Sequence, residues 1–170
     1  MMVLQLNLEQ LTALSEKVFV GKCTAVETRR DSAGRLVQSV TFRVEEMLKG
    51  KPEEEVIFRQ IVPSEVGMFQ DLPSYEVGEE TVVFLSEPGK SGLTAPVALK
   101  QGKFDVRTLP SGEKRVMNGL ENRGLFIGWQ KSPQLKSMTL TKQEKTLLKK
   151  NGGEISYSDF TSLVRKIAAP

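Results

Sequence analysis

The stretch Val40-Thr41-Phe42-Arg43-Val44-Glu45 constrains the fold more than any other, because apolar and polar residues alternate along it one for one. A period of two belongs to an extended strand, whose successive side chains point to opposite faces. Val40, Phe42 and Val44 therefore share a face that needs covering, and Lys49-Gly50-Lys51-Pro52 stops the run. Other segments follow the same pattern. Lys17 to Thr28 is rich in Val, Phe and Thr, with Gly21 placed as a bulge and Asp31-Ser32-Ala33-Gly34 as the closing turn. Val56 to Val62 reads as a third strand, ended by Pro63. After a Pro-, Gly- and Ser-rich loop from Pro63 to Gly78, Thr81-Val82-Val83-Phe84-Leu85 is almost wholly apolar, as a strand covered on both faces would be. Phe104 and Val106 alternate with Lys103, Asp105 and Arg107. Pro110-Ser111-Gly112 then turns the chain into Lys114-Arg115-Val116-Met117, a hairpin closed by Asn118-Gly119.

Helical signals flank these strands. Asn7 and Gln10 form a capping-box pair, with Leu8, Leu11 and Leu14 at helical spacing behind it. Between Leu120 and Gln134 there is no period. Thr141-Lys142-Gln143-Glu144 is a second capping box, opening a short basic helix that stops at Asn151-Gly152. Ser158 is the expected cap of a final helix, whose Phe160, Leu163, Val164 and Ile167 make one apolar stripe. The expected fold is mainly β, of the α+β class. It is a five- to six-stranded Greek-key barrel of the oligonucleotide/oligosaccharide-binding (OB) type, with an N-terminal helix and two C-terminal helices. The 170 residues are expected to form one domain, the barrel over 17–119 and the helical segment over 139–168.

Composition removes whole classes of chemistry. There is no histidine, so every Ser/His, Cys/His and His-based metal constellation is excluded. A single cysteine, Cys23, rules out an internal disulfide and a multi-cysteine metal site, and its apolar strand setting marks it as a buried, inert thiol. Gly89-Lys90-Ser91 lacks the upstream glycine of a phosphate-binding loop, since Phe84 stands there. Ser111 and Lys114 have the spacing of some acyl-transfer enzymes, but Pro110 and Gly112 make the segment a turn instead of a helix. Glu53-Glu54-Glu55 and Glu79-Glu80 lie beside turns, where charges are ordinarily solvated. The expectation is no catalytic residue, no cofactor and no metal. A net charge of +3, from 24 basic and 21 acidic residues, points only weakly to an anionic partner. No run approaches the roughly 20 apolar residues of a membrane span, and Met1-Met2-Val3-Leu4-Gln5 does not have the basic-then-apolar pattern of a leader.

Three phrases carry a resemblance: Val18-Phe19-Val20-Gly21-Lys22, then Val40 through Glu46-Met47-Leu48-Lys49-Gly50, then Val77-Gly78-Glu79-Glu80-Thr81-Val82-Val83-Phe84-Leu85. In this order they resemble the netrin-like module of tissue inhibitors of metalloproteinases. More closely, the chain resembles uncharacterised bacterial exported domains of that type, which share the opening Leu-rich helix and a closing helix like Tyr157-Ser158-Asp159-Phe160. The resemblance implies an OB-like barrel and a periplasmic or secreted location, although the residues alone leave the cytoplasm open. The inhibitors ligate the protease zinc through a free N-terminal cysteine held by disulfides. This chain has Met1 and only Cys23, so that mechanism does not carry over.

Two sets of residues are candidates for partner contact. Loops containing Met68-Phe69 and Phe126 to Trp129 place large apolar residues in turn-rich sequence, which fits a protein partner gripped at a barrel end. Alternatively, Lys136, Lys142, Lys145, Lys149 and Lys150, beside Phe126 and Trp129, fit single-stranded nucleic acid held by phosphate neutralisation and base stacking. The expected function is thus a non-enzymatic binding or accessory domain, with a nucleic-acid-binding barrel as the alternative.

Overall fold

A computed structural model describes residues 4–62 and 71–169. Its centre is a ribbon of two 14-residue antiparallel strands, β1 (Lys17–Arg30) and β2 (Leu36–Lys49). β3 (Glu55–Ile61), β4 (Glu80–Leu85), β5 (Lys103–Thr108), β6 (Lys114–Asn118) and β7 (Ile155–Ser156) extend it into one antiparallel sheet. The seven strands run in the order β3-β2-β1-β4-β5-β6-β7. Four α-helices accompany them among the described residues: α1 (Leu8–Leu14), α2 (Pro133–Ser137), α3 (Lys142–Leu147) and α4 (Tyr157–Ala168).

The predominance of β structure agrees with the alternation of the sequence, but the expected closed barrel of five to six strands does not form. The sheet has seven strands and is open, ending at β3 and β7. Where a returning strand would close the cylinder, the chain between Leu85 and Val97 contains Pro88, Gly89, Gly92 and Pro96. Proline removes ladder donors and glycine weakens extended structure, so the segment crosses β3 as a loop. Its backbone link to that edge is one hydrogen bond, from the Thr94 N–H to the Arg59 carbonyl at 2.8 Å.

Bulges let the long ribbon bend. Register shifts occur between Val18 and Phe19, between Val20 and Gly21, and between Cys23 and Ala25. Gly21 is needed at the second, because a Cβ there would stand 2.9 Å from the Arg43 carbonyl oxygen. Gly21 pairs with Val44 at this irregularity, and Val44, half-buried, packs against the same core as Val40 and Phe42.

The sheet buries both faces. Val18, Val20, Val82, Phe84, Phe104 and Val116 meet α1 and α4 in the larger core, where Phe104 and Phe160 lie 4.7 Å apart. The opposite face gathers Phe19, Cys23, Val40, Phe42, Phe58, Val83 and Tyr75. β4 contributes Val82 and Phe84 to one core and Val83 and Leu85 to the other, which is why its sequence has no polar alternation. Tyr75 reaches the second core from the segment before β4, edge-on to Phe42 and Phe58 at 5.8 and 5.5 Å. Lys103 holds that segment down: its Nζ donates to the Ser74 carbonyl at 2.8 Å, pairs with Glu79 at 2.9 Å and lies 5.0 Å from the Tyr75 ring centroid.

Both capping boxes form, at Asn7/Gln10 and at Thr141/Glu144. The final helix is capped by Ser156, not Ser158. Ser156 pairs with Arg115 as the last residue of β7, so the sheet itself fixes where the helix starts. The aperiodic stretch after Asn118 contains turns, a 3₁₀ segment at Trp129–Lys131 and the start of α2, a third C-terminal helix where two were expected.

Candidate functional site

The turn region after β6 is built from inside by two asparagines. Buried Asn118 accepts, through its side-chain oxygen, the N–H groups of Leu120 and Asn122. Asn122 returns a bond to the Asn118 N–H and donates to the carbonyls of Val116 and Gly153. This network holds Glu121 and Asn122 in the left-handed region, at φ 56° and 60°. Gly124, at φ 73°, follows where a Cβ would collide with the Gln5 side chain.

The chain then delivers Leu125 and Phe126 into the larger core while Ile127 stays 66% exposed and Trp129 half-buried. The N-terminal segment fixes this loop by three hydrogen bonds. The Gln5 side chain donates to the Arg123 carbonyl at 2.8 Å, the Leu8 N–H to the Leu125 carbonyl at 2.8 Å, and the Asn7 side chain to the Ile127 carbonyl at 3.0 Å. Ser132, the cap of α2, adds a bond to the Glu9 carboxylate at 2.8 Å.

Opposite the loop, the end of the basic segment completes a groove of about 550 Å³ lined by Phe126, Ile127, Trp129, Leu148, Lys149 and Lys150. Leu148 is buried, whereas both lysines are exposed. Neither lysine belongs to an ion pair among the described residues. Lys150 donates only to the Glu154 carbonyl at 3.3 Å. Segment 131–150 contains six lysines and one acid, Glu144, and that acid is buried and paired with Lys166 at 2.5 Å. The rim of the groove thus carries two lysines outside any ion pair, with the Glu9 carboxylate in the adjoining cavity that shares Phe126, Ile127, Trp129 and Leu148.

The structure therefore joins parts of both candidate sets. Phe126 and Trp129 meet Lys149 and Lys150, although Phe126, at 7% exposure, forms the floor and not a contact knob. Lys136 on α2 and Lys142 and Lys145 on α3 are exposed but stand outside the groove. Met68 and Phe69 lie outside the described residues. Sequence reasoning missed Leu148 as a wall, because helical spacing alone does not reveal what α3 faces.

The other motifs have ordinary settings. Cys23 is buried, and burial together with the nearby Glu79 carboxylate raises its thiol above the usual range. Glu79 pairs with Lys103, and Glu80 with Lys114 at 2.8 Å. Glu45 is raised by partial burial and by the adjacent Glu80 carboxylate, with Lys114 opposing. Lys114 is thus committed to Glu80 and is no partner for Ser111. Gly89 and Gly92 close a turn by hydrogen bonds to Leu93 and Gly89 carbonyls. Among the described residues no three His, Cys, Asp or Glu side chains group as metal ligands, and no helix is long and apolar enough to cross a membrane. Comparison with protein-family models, with curated proteins and with solved structures finds no match to this chain.

Proposed function

We propose that this chain is a non-enzymatic binding domain that docks an acidic, apolar-anchored segment of a protein partner in the groove between the 124–130 loop and the end of α3. The observation that supports this most is the juxtaposition of exposed Ile127 and half-buried Trp129 with the unpaired Lys149 and Lys150. Apolar anchors supply contact energy, and unpaired charge selects the partner and speeds encounter. Bonds from Gln5, Asn7 and Leu8 hold the loop before any partner arrives, which lowers the ordering cost of binding. The fold belongs, on this proposal, with netrin-like modules as an opened variant of their barrel, and the location implied by that resemblance is periplasmic or secreted.

Selection of displayed peptides on the full chain tests the proposal. Enriched sequences should place Asp or Glu beside a Leu, Ile or Phe, and should lose binding to Ile127→Asp and to Lys149→Glu. Enrichment without acidic residues, or indifference to both substitutions, overturns it. Single-stranded nucleic acid is the competing occupant. It would show tight oligonucleotide binding that falls steeply with salt and depends on Lys136, Lys142 and Lys145 as much as on the groove.

A further inference from the structure

β1 pairs with β4 over Lys17–Lys22, so among the described residues the far end of the β1–β2 ribbon continues with β3 as its only further strand neighbour. There the register sets Arg29 beside Val37, Glu27 beside Ser39, and Ser39 beside Arg59. These residues share the face turned away from Phe42 and Phe58. With Arg30 and Asp31 they line a depression of about 310 Å³, at the lower end of the roughly 300–1,000 Å³ typical of small-ligand pockets. Val37, 5% exposed, gives it an apolar floor, over which charge interactions are stronger than in open water.

The charges here do not cancel. Arg29, Arg30 and Arg59 line it with two acids, Glu27 and Asp31. Glu27 pairs with Arg29 at 3.2 Å. Asp31 pairs with Arg35 at 2.8 Å and also accepts the N–H groups of Ala33 and Arg35, so its oxygens are occupied. Arg30 donates only to the Gly34 carbonyl, at 2.9 Å. Among the described residues Arg59 has no carboxylate partner. A permanently charged guanidinium presents a planar fork of donors that matches two oxygens of a phosphate.

We propose that this depression binds a phosphate group carried by a small molecule, held by the forks of Arg29 and Arg59 and by the Ser39 hydroxyl, which share one face of the sheet. The site is separate from the Trp129 groove and stands or falls independently of it.

The test is an NMR titration of the ¹⁵N-labelled full chain with inorganic phosphate, with glycerol phosphate, and with sodium chloride at matched ionic strength. Both phosphates should give saturable shifts confined to residues 27–39 and 57–61, and chloride should not. Arg29→Gln and Arg59→Gln should each weaken binding about tenfold with no change in melting temperature, since both side chains are exposed. Shifts that fail to saturate, that chloride reproduces, or that survive both substitutions overturn the proposal. So does an oligonucleotide that occupies the same amides more tightly than either small phosphate.

Discussion

The side-chain amide of Asn7 does two jobs at once: its oxygen accepts the N–H of Gln10 at 2.9 Å, and its nitrogen donates to the carbonyl of Ile127 at 3.0 Å. The first bond caps α1 and the second orients the loop that forms one wall of the groove. Aspartate caps a helix as well as asparagine does, but has no donor when ionised. Asn7→Asp should therefore leave α1 intact, cost about 1 kcal/mol of stability, and weaken groove binding. Asn7→Ala should lose both bonds and destabilise more. Urea unfolding of the two variants checks the ranking: equal losses would show that the Gln10 cap contributes nothing, and an Asn7→Asp variant as stable as the native protein would show the same of the Ile127 bond.

The ion pair between Glu144 and Lys166 joins α3 to α4 and predicts a pH dependence. Burial of Glu144 pushes its pKa up, but the hydrogen bonds from Lys166 and Thr141 outweigh that and leave it below its ordinary 4.5. A carboxylate lowered in the folded state contributes stability that is complete above its unfolded pKa and is lost as pH falls through the folded one. Stability should therefore decline below about pH 4.5, and Glu144→Gln should remove that part of the decline while costing about 2 kcal/mol at neutral pH. Melting temperatures from pH 7 to pH 3 for both proteins provide the comparison.

Phe42 and Arg43 are sequence neighbours on opposite faces of β2, one fully buried and one exposed. Phe42→Ala should cost about 3–5 kcal/mol, since it leaves a cavity among Phe19, Phe58 and Tyr75. Arg43→Ala should stay within about 0.5 kcal/mol. Guanidinium unfolding midpoints decide this, and comparable losses would mean the face assignment of β2 is wrong.

Lys103 is the clamp on the segment that carries Tyr75. Lys103→Met keeps the stem but removes the bond to Ser74 and the pairs with Glu79 and Asp105. A loss of about 2–3 kcal/mol is expected, because the partners become uncompensated in a partly buried setting. The same change should speed modification of the nearby Cys23 thiol by a disulfide reagent at pH 8, a reaction that in the native protein should follow global unfolding. Rapid labelling of the native chain would contradict the burial of Cys23.

Local features were well marked in the sequence, whereas long-range ones were not. Alternation at Val40–Val44 and the apolar run at Val82–Leu85 located strands, and Asn7/Gln10 and Thr141/Glu144 located helix starts, because each signal lies within one element. Closure was not legible: whether a sheet ends or rejoins depends on what the Pro- and Gly-broken chain around Thr94 can offer the edge of β3. The cap of α4 was misplaced because Ser156 is selected by pairing with Arg115, a partner far away in the sequence. The groove was half legible. Phe126, Trp129, Lys149 and Lys150 were identifiable by type, but their meeting depends on the Asn118–Asn122 network and on bonds from Gln5, Asn7 and Leu8.

The most direct measurement uses Trp129, the only tryptophan of the chain, as its own reporter. Titrating the full protein with an acidic peptide obtained by the selection above should shift its emission to the blue as the half-exposed indole is covered. The double substitution Lys149→Glu/Lys150→Glu should weaken that response at least about tenfold without altering the melting temperature. Peptide binding that leaves Trp129 emission unchanged, or that the charge reversal does not weaken, would contradict the account.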